Sequence, residues 1–154
     1  MEPIRFEDRR AFLLTGSVVT YQMPNNEGIP TQWDRFAPQL GKIPGQVGWT
    51  TYGVCFNFDG KGRMDYMCGV EVSDGSVPPD GLTHLRIEAQ RFAVFEHRDH
   101  ISKIKSTWMA IFNEWAPNAK EKIAPGPQVE VYGNEFNPKT ETGLVEIWIP
   151  VAGK

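Results

Sequence analysis

Tyr52-Gly53-Val54-Cys55-Phe56-Asn57 and Tyr132-Gly133-Asn134-Glu135-Phe136-Asn137 agree at four of six positions, 80 residues apart. The same offset carries Phe12 onto Phe92, each at the head of an apolar, strand-like run. Separate segments that share one spacing point to an internal repeat, and a repeat decides a fold before any local signal does.

The surrounding residues supply matching pieces. Phe12 to Tyr21, rich in β-branched and aromatic residues, reads as a strand. Ile29, Trp33, Phe36 and Leu40 fall at helical spacing. Pro30 suits a first turn, and Pro38 keeps this helix short or kinked. Trp49 to Phe58 and Met64 to Val72 read as strands joined by the turn Asp59-Gly60-Lys61-Gly62. In the second half Arg91 to Glu96 reads as a strand, and Ile101, Ile104, Trp108, Ile111, Phe112 and Trp115 form a helical stripe. Asp99 or His100 is placed to cap that helix and Pro117 to end it. Val129 to Phe136 and Leu144 to Val151 are the last strands, with a turn starting at Asn137-Pro138-Lys139-Thr140.

The expected fold is therefore α+β, a strand–helix–strand–strand unit met twice, at about 10–74 and about 88–151. The linker, about 75–87, is marked by Pro78-Pro79-Asp80-Gly81. A half of about 75 residues buries little alone. The halves are expected to pack as one domain over 1–154 with pseudo-twofold symmetry, an antiparallel sheet carrying helices on one face, and a ligand cleft between the repeats.

Composition narrows the class. Hydrophobic residues at 40% and charged residues at 23% describe a folded chain, which excludes a disordered tail or a fibre. No apolar run approaches the roughly 18 residues that span a bilayer, and Met1 to Arg10 is too charged for a secretion signal, so a cytoplasmic protein without a membrane partner is expected. A net charge of -3 and a pI of about 5.6 argue against direct nucleic-acid binding and suit cationic partners. Cys55 and Cys68 fit a reducing compartment as free thiols; a bridge between neighbouring strands is the alternative. Aromatics make up 12%, five of them Trp, which suits a core or a pocket for flat ligands.

Glu146 is the residue that invites a chemical reading. In Leu144-Val145-Glu146-Ile147-Trp148-Ile149-Pro150-Val151 strand alternation places Glu146 and Trp148 on one face and Val145, Ile147 and Ile149 on the other. The plain alternative is that this face is wet and Glu146 solvated. In a cleft walled by aromatics the carboxylate is costly to bury, its pKa rises, and a lipophilic cation can supply the missing charge. The offset of 80 maps Tyr66 onto Glu146 and so nominates Tyr66 as its neighbour across the pseudo-axis. Trp33, Trp108 and Phe112 are further wall candidates, with the core as their default, and Tyr52 has a structural or a ligand role. No metal or cofactor is expected: His97 and His100, with Glu96 and Asp99, straddle a strand end and a helix start without a further ligand cluster. Gly60-Lys61-Gly62 is a turn without Walker spacing, and no G-x-S-x-G elbow occurs.

Gln90 to His97, the helix through Trp108 and Phe112, Val131 to Phe136, Val145 to Val151 and Tyr66-Met67-Cys68-Gly69-Val70-Glu71-Val72 together resemble the GyrI-like small-molecule-binding family, which includes effector-binding domains of AraC-type and MerR-type activators. The resemblance covers nearly the whole chain. It implies a tandem fold with a cleft between repeats, hydrophobic and often cationic ligands, and an acidic residue in the last strand, matched here by Glu146. The repeat consumes residues 10–151 and leaves no room for a helix-turn-helix, so the chain looks like a stand-alone member similar to those on integron cassettes. The implied role is a drug-binding sink or a sensor with a regulator or other protein as partner. Alternatives are hydrolysis of strained cyclopropane-containing compounds, with Glu146 as base and Tyr66 as its partner, and gyrase inhibition. A binding module is favoured over an enzyme, and the oligomeric state is left open.

Overall fold

Alternation of large apolar and small or polar residues makes Phe12–Gln22 a strand, and the same physics builds most of the sheet. The computed structural model describes residues 1–152. Within them the elements run β1 (Arg5–Arg9), β2 (Phe12–Gln22), α1 (Ile29–Phe36), β3 (Gln46–Phe56), β4 (Arg63–Val72), β5 (Thr83–Ile87), β6 (Gln90–His97), α2 (Ile104–Ala110), β7 (Lys122–Ile123), β8 (Gln128–Asn137) and β9 (Thr142–Ala152). The order strand, helix, strand, strand is thus met twice, at β2-α1-β3-β4 and β6-α2-β8-β9. β1, β5 and β7, which the sequence reading lacked, are the additions.

All strand pairs are antiparallel, in the order β1-β6-β9-β8-β3-β4-β2-β5, with β7 on β9. The two ends of this order meet. Arg9 faces Gln90 in the β1/β6 ladder and Phe12 faces Ile87 in the β2/β5 ladder, so one register runs through both, interrupted at Arg10–Ala11 and Glu88–Ala89. The sheet curls accordingly. Four strand spacings separate β9 from β2, about 19 Å on a flat sheet, yet the Trp148 and Phe12 rings lie 6.4 Å apart.

The curl is filled from inside by Phe12, Leu14, Tyr52, Val54, Met67, Ile87, Phe92, Val94, Val129 and Trp148. Trp148 is 3% exposed and packs edge-on or tilted against Phe12, Tyr52 and Phe92, while the Arg9 guanidinium lies 4.6 Å above its ring. Tyr52 and Trp148 are therefore core residues of the inner face. Trp148→Ala should cost about 3–5 kcal/mol of stability, read as a lowered denaturation midpoint; an unchanged midpoint would contradict the packing described.

Both helices lie on the outer face. Gln32 anchors α1: its amide donates to the Ser17 and Tyr66 carbonyls at 2.9 Å each, and its oxygen accepts from the Tyr21 hydroxyl at 2.8 Å. Pro38 limits α1 as its missing N–H requires, and a 3-10 turn, Ala37–Gln39, follows. α2 is entered through a 3-10 turn, Ile101–Lys103, whose first free amide, that of Ser102, donates to His100 Nδ1; Asp99 in turn accepts from the His100 amide. It continues as a π-helical turn, Ile111–Trp115, which sets both Ile111 and Trp115 against Phe95, Ile147 and Ile149. α2 proper contains no buried residue, so that turn and the side chains of Ile104 and Trp108 hold it to the sheet.

Candidate functional site

The strand Gln128–Asn137 carries Val129 inside the curl and Glu130 and Tyr132 on the outer face, as alternation demands. Glu130 is 7% exposed. Its Oε1 accepts from the Tyr66 hydroxyl at 2.9 Å and the Tyr132 hydroxyl at 2.8 Å, and its Oε2 accepts from Trp108 Nε1 at 2.8 Å. Trp33 Nε1 donates to the Tyr66 hydroxyl at 3.0 Å, and the Trp33 ring meets Tyr132 edge-on at 5.4 Å. One carboxylate thus ties together β4, β8, α1 and α2. Gly53, directly opposite Glu130 in the β3/β8 ladder, makes this possible. A Cβ there would fall against the Tyr66 hydroxyl and 2.7 Å from Glu130 Oε1.

Around this network lies a cavity of about 1720 Å³ between the helices, walled by Trp33, Trp108, Phe112, Tyr66, Tyr132 and Cys55. Its rim adds Trp49, Phe58 and Met109, all exposed, with Trp49 at 71%. Trp108 and Phe112, one helical turn apart, present parallel rings 6.2 Å from centre to centre. No ion pair reaches Glu130 among the described residues.

Burial pushes the Glu130 carboxyl above its ordinary range, while the bonds from Trp108, Tyr132 and Tyr66 pull it back. A buried charge costs several kcal/mol, and each hydrogen bond to a charged group returns about 1.5–3 kcal/mol. The two are of one order, so neutral donors can hold the carboxylate ionised without a protein cation. Burial and the Glu130 charge push both phenols well up, which keeps Tyr66 and Tyr132 as donors. The Cys55 and Cys68 thiols are free, and burial pushes both up.

These shifts have a sign in stability. A carboxyl whose folded pKa is raised binds its proton more tightly in the native state, so its contribution to stability grows as pH falls through that pKa toward the ordinary value. Glu7 and Asp65 are lowered, by hydrogen bonds from Arg5 and from Thr20 respectively, and lose stability only below the ordinary range. Ligand-free wild type should therefore gain stability relative to Glu130→Gln as pH falls toward the ordinary carboxylate range. Paired thermal melts check this; a difference that does not vary with pH would contradict the raised pKa.

Tyr66, Trp33, Trp108 and Phe112, which the sequence suggests as candidates for a cleft around Glu146, all lie on one cavity. Glu146 is not among its lining residues. It lies with Trp148 on the opposite face of the sheet, where Oε1 accepts from Arg5 Nη2 and Trp148 Nε1 at 3.1 Å each, beside a hollow of about 180 Å³. The reason is register. Leu13 faces Val72 in the β2/β4 ladder and Ala93 faces Ile149 in the β6/β9 ladder; Ala93 follows Leu13 by 80 residues, but Ile149 follows Val72 by only 77. The shortfall of three is odd, so side chains on β9 point to the other face from the one a count of 80 assigns. The acid beside Tyr66 is Glu130, which the sequence reading passed over. Its signal was there in Val129-Glu130-Val131-Tyr132, the same acid-and-aromatic alternation as in Glu146 and Trp148. His97 Nδ1 bonds Thr107 Oγ1 of α2 at 2.7 Å and Nε2 donates to the carbonyl of His100, ahead of the 3-10 turn, at 3.0 Å, so both nitrogens are engaged within the protein.

Comparison with known proteins agrees with the architecture. The transcriptional regulator BrlR of Pseudomonas aeruginosa is 28% identical over 149 residues, covering 96% of this chain and 54% of BrlR. The chain thus spans about half the length of that relative. The structure of SAV2435 bound to tetraphenylphosphonium superposes with a TM-score of 0.70 at 22% identity, covering 99% of this chain and 95% of the other. The integron cassette protein VCH_CASS2 of Vibrio cholerae gives a TM-score of 0.73 at 18% identity, covering 97% and 96%. No helix among the described residues is long and apolar enough to cross a membrane. The model of the GyrI-like small molecule binding domain matches residues 2–152, and with the curled sheet, the paired helices and the cavity between them in place, the chain belongs to that family.

Proposed function

We propose that this protein binds lipophilic aromatic cations in the cavity between α1 and α2, with Glu130 supplying the charge. The observation that carries the reading is a buried carboxylate with three neutral donors and no ion-pair partner among the described residues, set in an aromatic wall. A cation that enters gains the attraction of that charge in a poorly screened site, contact with the ring faces of Trp33, Trp108, Phe112 and Tyr132, and burial of its own apolar surface. Recognition by charge and bulk accepts many shapes, which suits a sensor or a sink. The tetraphenylphosphonium carried by the SAV2435 neighbour is a ligand of this chemistry.

The test is titration with tetraphenylphosphonium followed by tryptophan fluorescence, since Trp33 and Trp108 both line the cavity. Saturable quenching in the micromolar range, about -8 kcal/mol, is expected. Absence of saturable binding up to millimolar ligand would overturn the reading.

A second reading is favoured by the Tyr66–Glu130 contact. A carboxylate of raised pKa, steadied by the phenol that donates to it, is suited to draw a proton from water as the water oxygen bonds a ring carbon, and to return that proton to the carbon released when the strained C–C bond breaks. Hydrolysis of strained cyclopropane-containing compounds would use that pair. Unchanged compound by mass spectrometry after long incubation would exclude it.

A further inference from the structure

We propose that Tyr66 and Tyr132 make the site selective for cations that carry no hydrogen on the charged centre (quaternary ammonium, phosphonium, ring-delocalised cations) over protonated amines. This inference rests on the cation-binding reading above and asks which cations the carboxylate can serve.

An ionised carboxylate offers about four acceptor positions. Three on Glu130 are occupied: two on Oε1 by the tyrosine hydroxyls and one on Oε2 by the Trp108 indole. These donors are held in place. Tyr66 is buried to 1% exposure and is itself an acceptor for Trp33, and Gly53 lets the Tyr66 hydroxyl and Glu130 Oε1 approach without a side chain between them. One acceptor position is left, on Oε2.

A primary ammonium group brings three N–H donors, all satisfied by water before it enters. The Glu130 carboxylate itself offers it one acceptor position, and any further N–H left without a partner on burial carries its full desolvation penalty. A quaternary ammonium or a phosphonium has no donor to satisfy. It needs only the field of the charge, which acts through space, and the aromatic surfaces, which contact its substituents. The tyrosine hydroxyls therefore do two things: they lower the cost of ionising Glu130, and they use up the lone pairs that a protonated amine would require.

The experiment compares naphthylmethyltrimethylammonium with naphthylmethylammonium, each displacing tetraphenylphosphonium from wild type, Tyr132→Phe and Tyr66→Phe, with folding checked by circular dichroism. Wild type should prefer the quaternary compound by about tenfold or more. The extra methyl groups contribute to that preference through burial alone, so the deciding quantity is its change between proteins. Each Phe variant frees one position on Oε1, and the preference should shrink by about threefold or more through tighter binding of the primary amine. Trp108→Phe frees Oε2 instead and should act in the same direction, which keeps the test open if a tyrosine variant does not fold. A preference that stays the same in every folded variant, or a wild type that favours the primary amine, overturns the inference. So does tetraphenylphosphonium binding that neither naphthyl compound displaces. In all three cases saturable tetraphenylphosphonium binding leaves the cation-binding reading standing; its absence removes both.

Discussion

Glu130→Gln should lower the affinity for tetraphenylphosphonium by about 30-fold or more, whereas Glu146→Gln should leave it within about twofold. The two substitutions make the same chemical change on neighbouring strands, so the contrast isolates position. Glu130 is buried among rings, and removing one charge of a desolvated pair costs about 2–5 kcal/mol, of which the lower end is already 30-fold. Glu146 pairs with Arg5 on the other face, and the Arg5 side chain is 39% exposed; an ion pair of that kind is worth up to about 1 kcal/mol and lies outside the cavity. Fluorescence titration of both variants at one pH reads the outcome. Equal loss in both, or loss in Glu146→Gln alone, would move the site to the far face of the sheet.

Gly53→Ala should damage the site from behind. Its added methyl points to the outer face, onto the Tyr66 hydroxyl and toward Glu130 Oε1. The Tyr66 ring is held on one side by Leu13, Phe36 and Cys68, so it can yield only toward the cavity and away from Glu130. Either the ring swings or the carboxylate shifts, and the bond between them opens. Overpacking of this kind costs about 1–3 kcal/mol, read as a melting temperature lower by several degrees, and affinity for the cation should fall by about tenfold. Melting and titration together check the prediction; a variant unchanged in both would mean that the site yields more easily than its packing implies.

The fold was largely legible in the residues, and the reasons are local. Phe12–Gln22, Arg63–Val72 and Thr142–Ala152 announce themselves by alternation and β-branched content, and the stripe from Ile101 to Trp115 by its period. β1 and β5 did not. Arg-Phe-Glu-Asp-Arg and Thr-His-Leu-Arg-Ile are short, polar edge segments that are strands because a neighbour's backbone is waiting, not because of their own side chains. The candidate site was half legible. Four aromatic wall residues could be named because cavity walls and helix stripes draw on the same residue types. The acid could not be chosen, because Glu130 with Tyr132 and Glu146 with Trp148 present the same alternation, and only the packing of the helices decides which face becomes the cavity. Counting by a fixed offset of 80 then failed at β9, where the pairing runs three residues short.

The crossed pairing of β1 with β6 and of β5 with β2 has a further consequence. Each half of the polypeptide finishes its own wall with a plank borrowed from the other, so neither is a free-standing building block. A nick in the connection between Val72 and Thr83 would leave two fragments with raw flanks that match only each other, and the intact chain is bound to come apart in one concerted step rather than half by half.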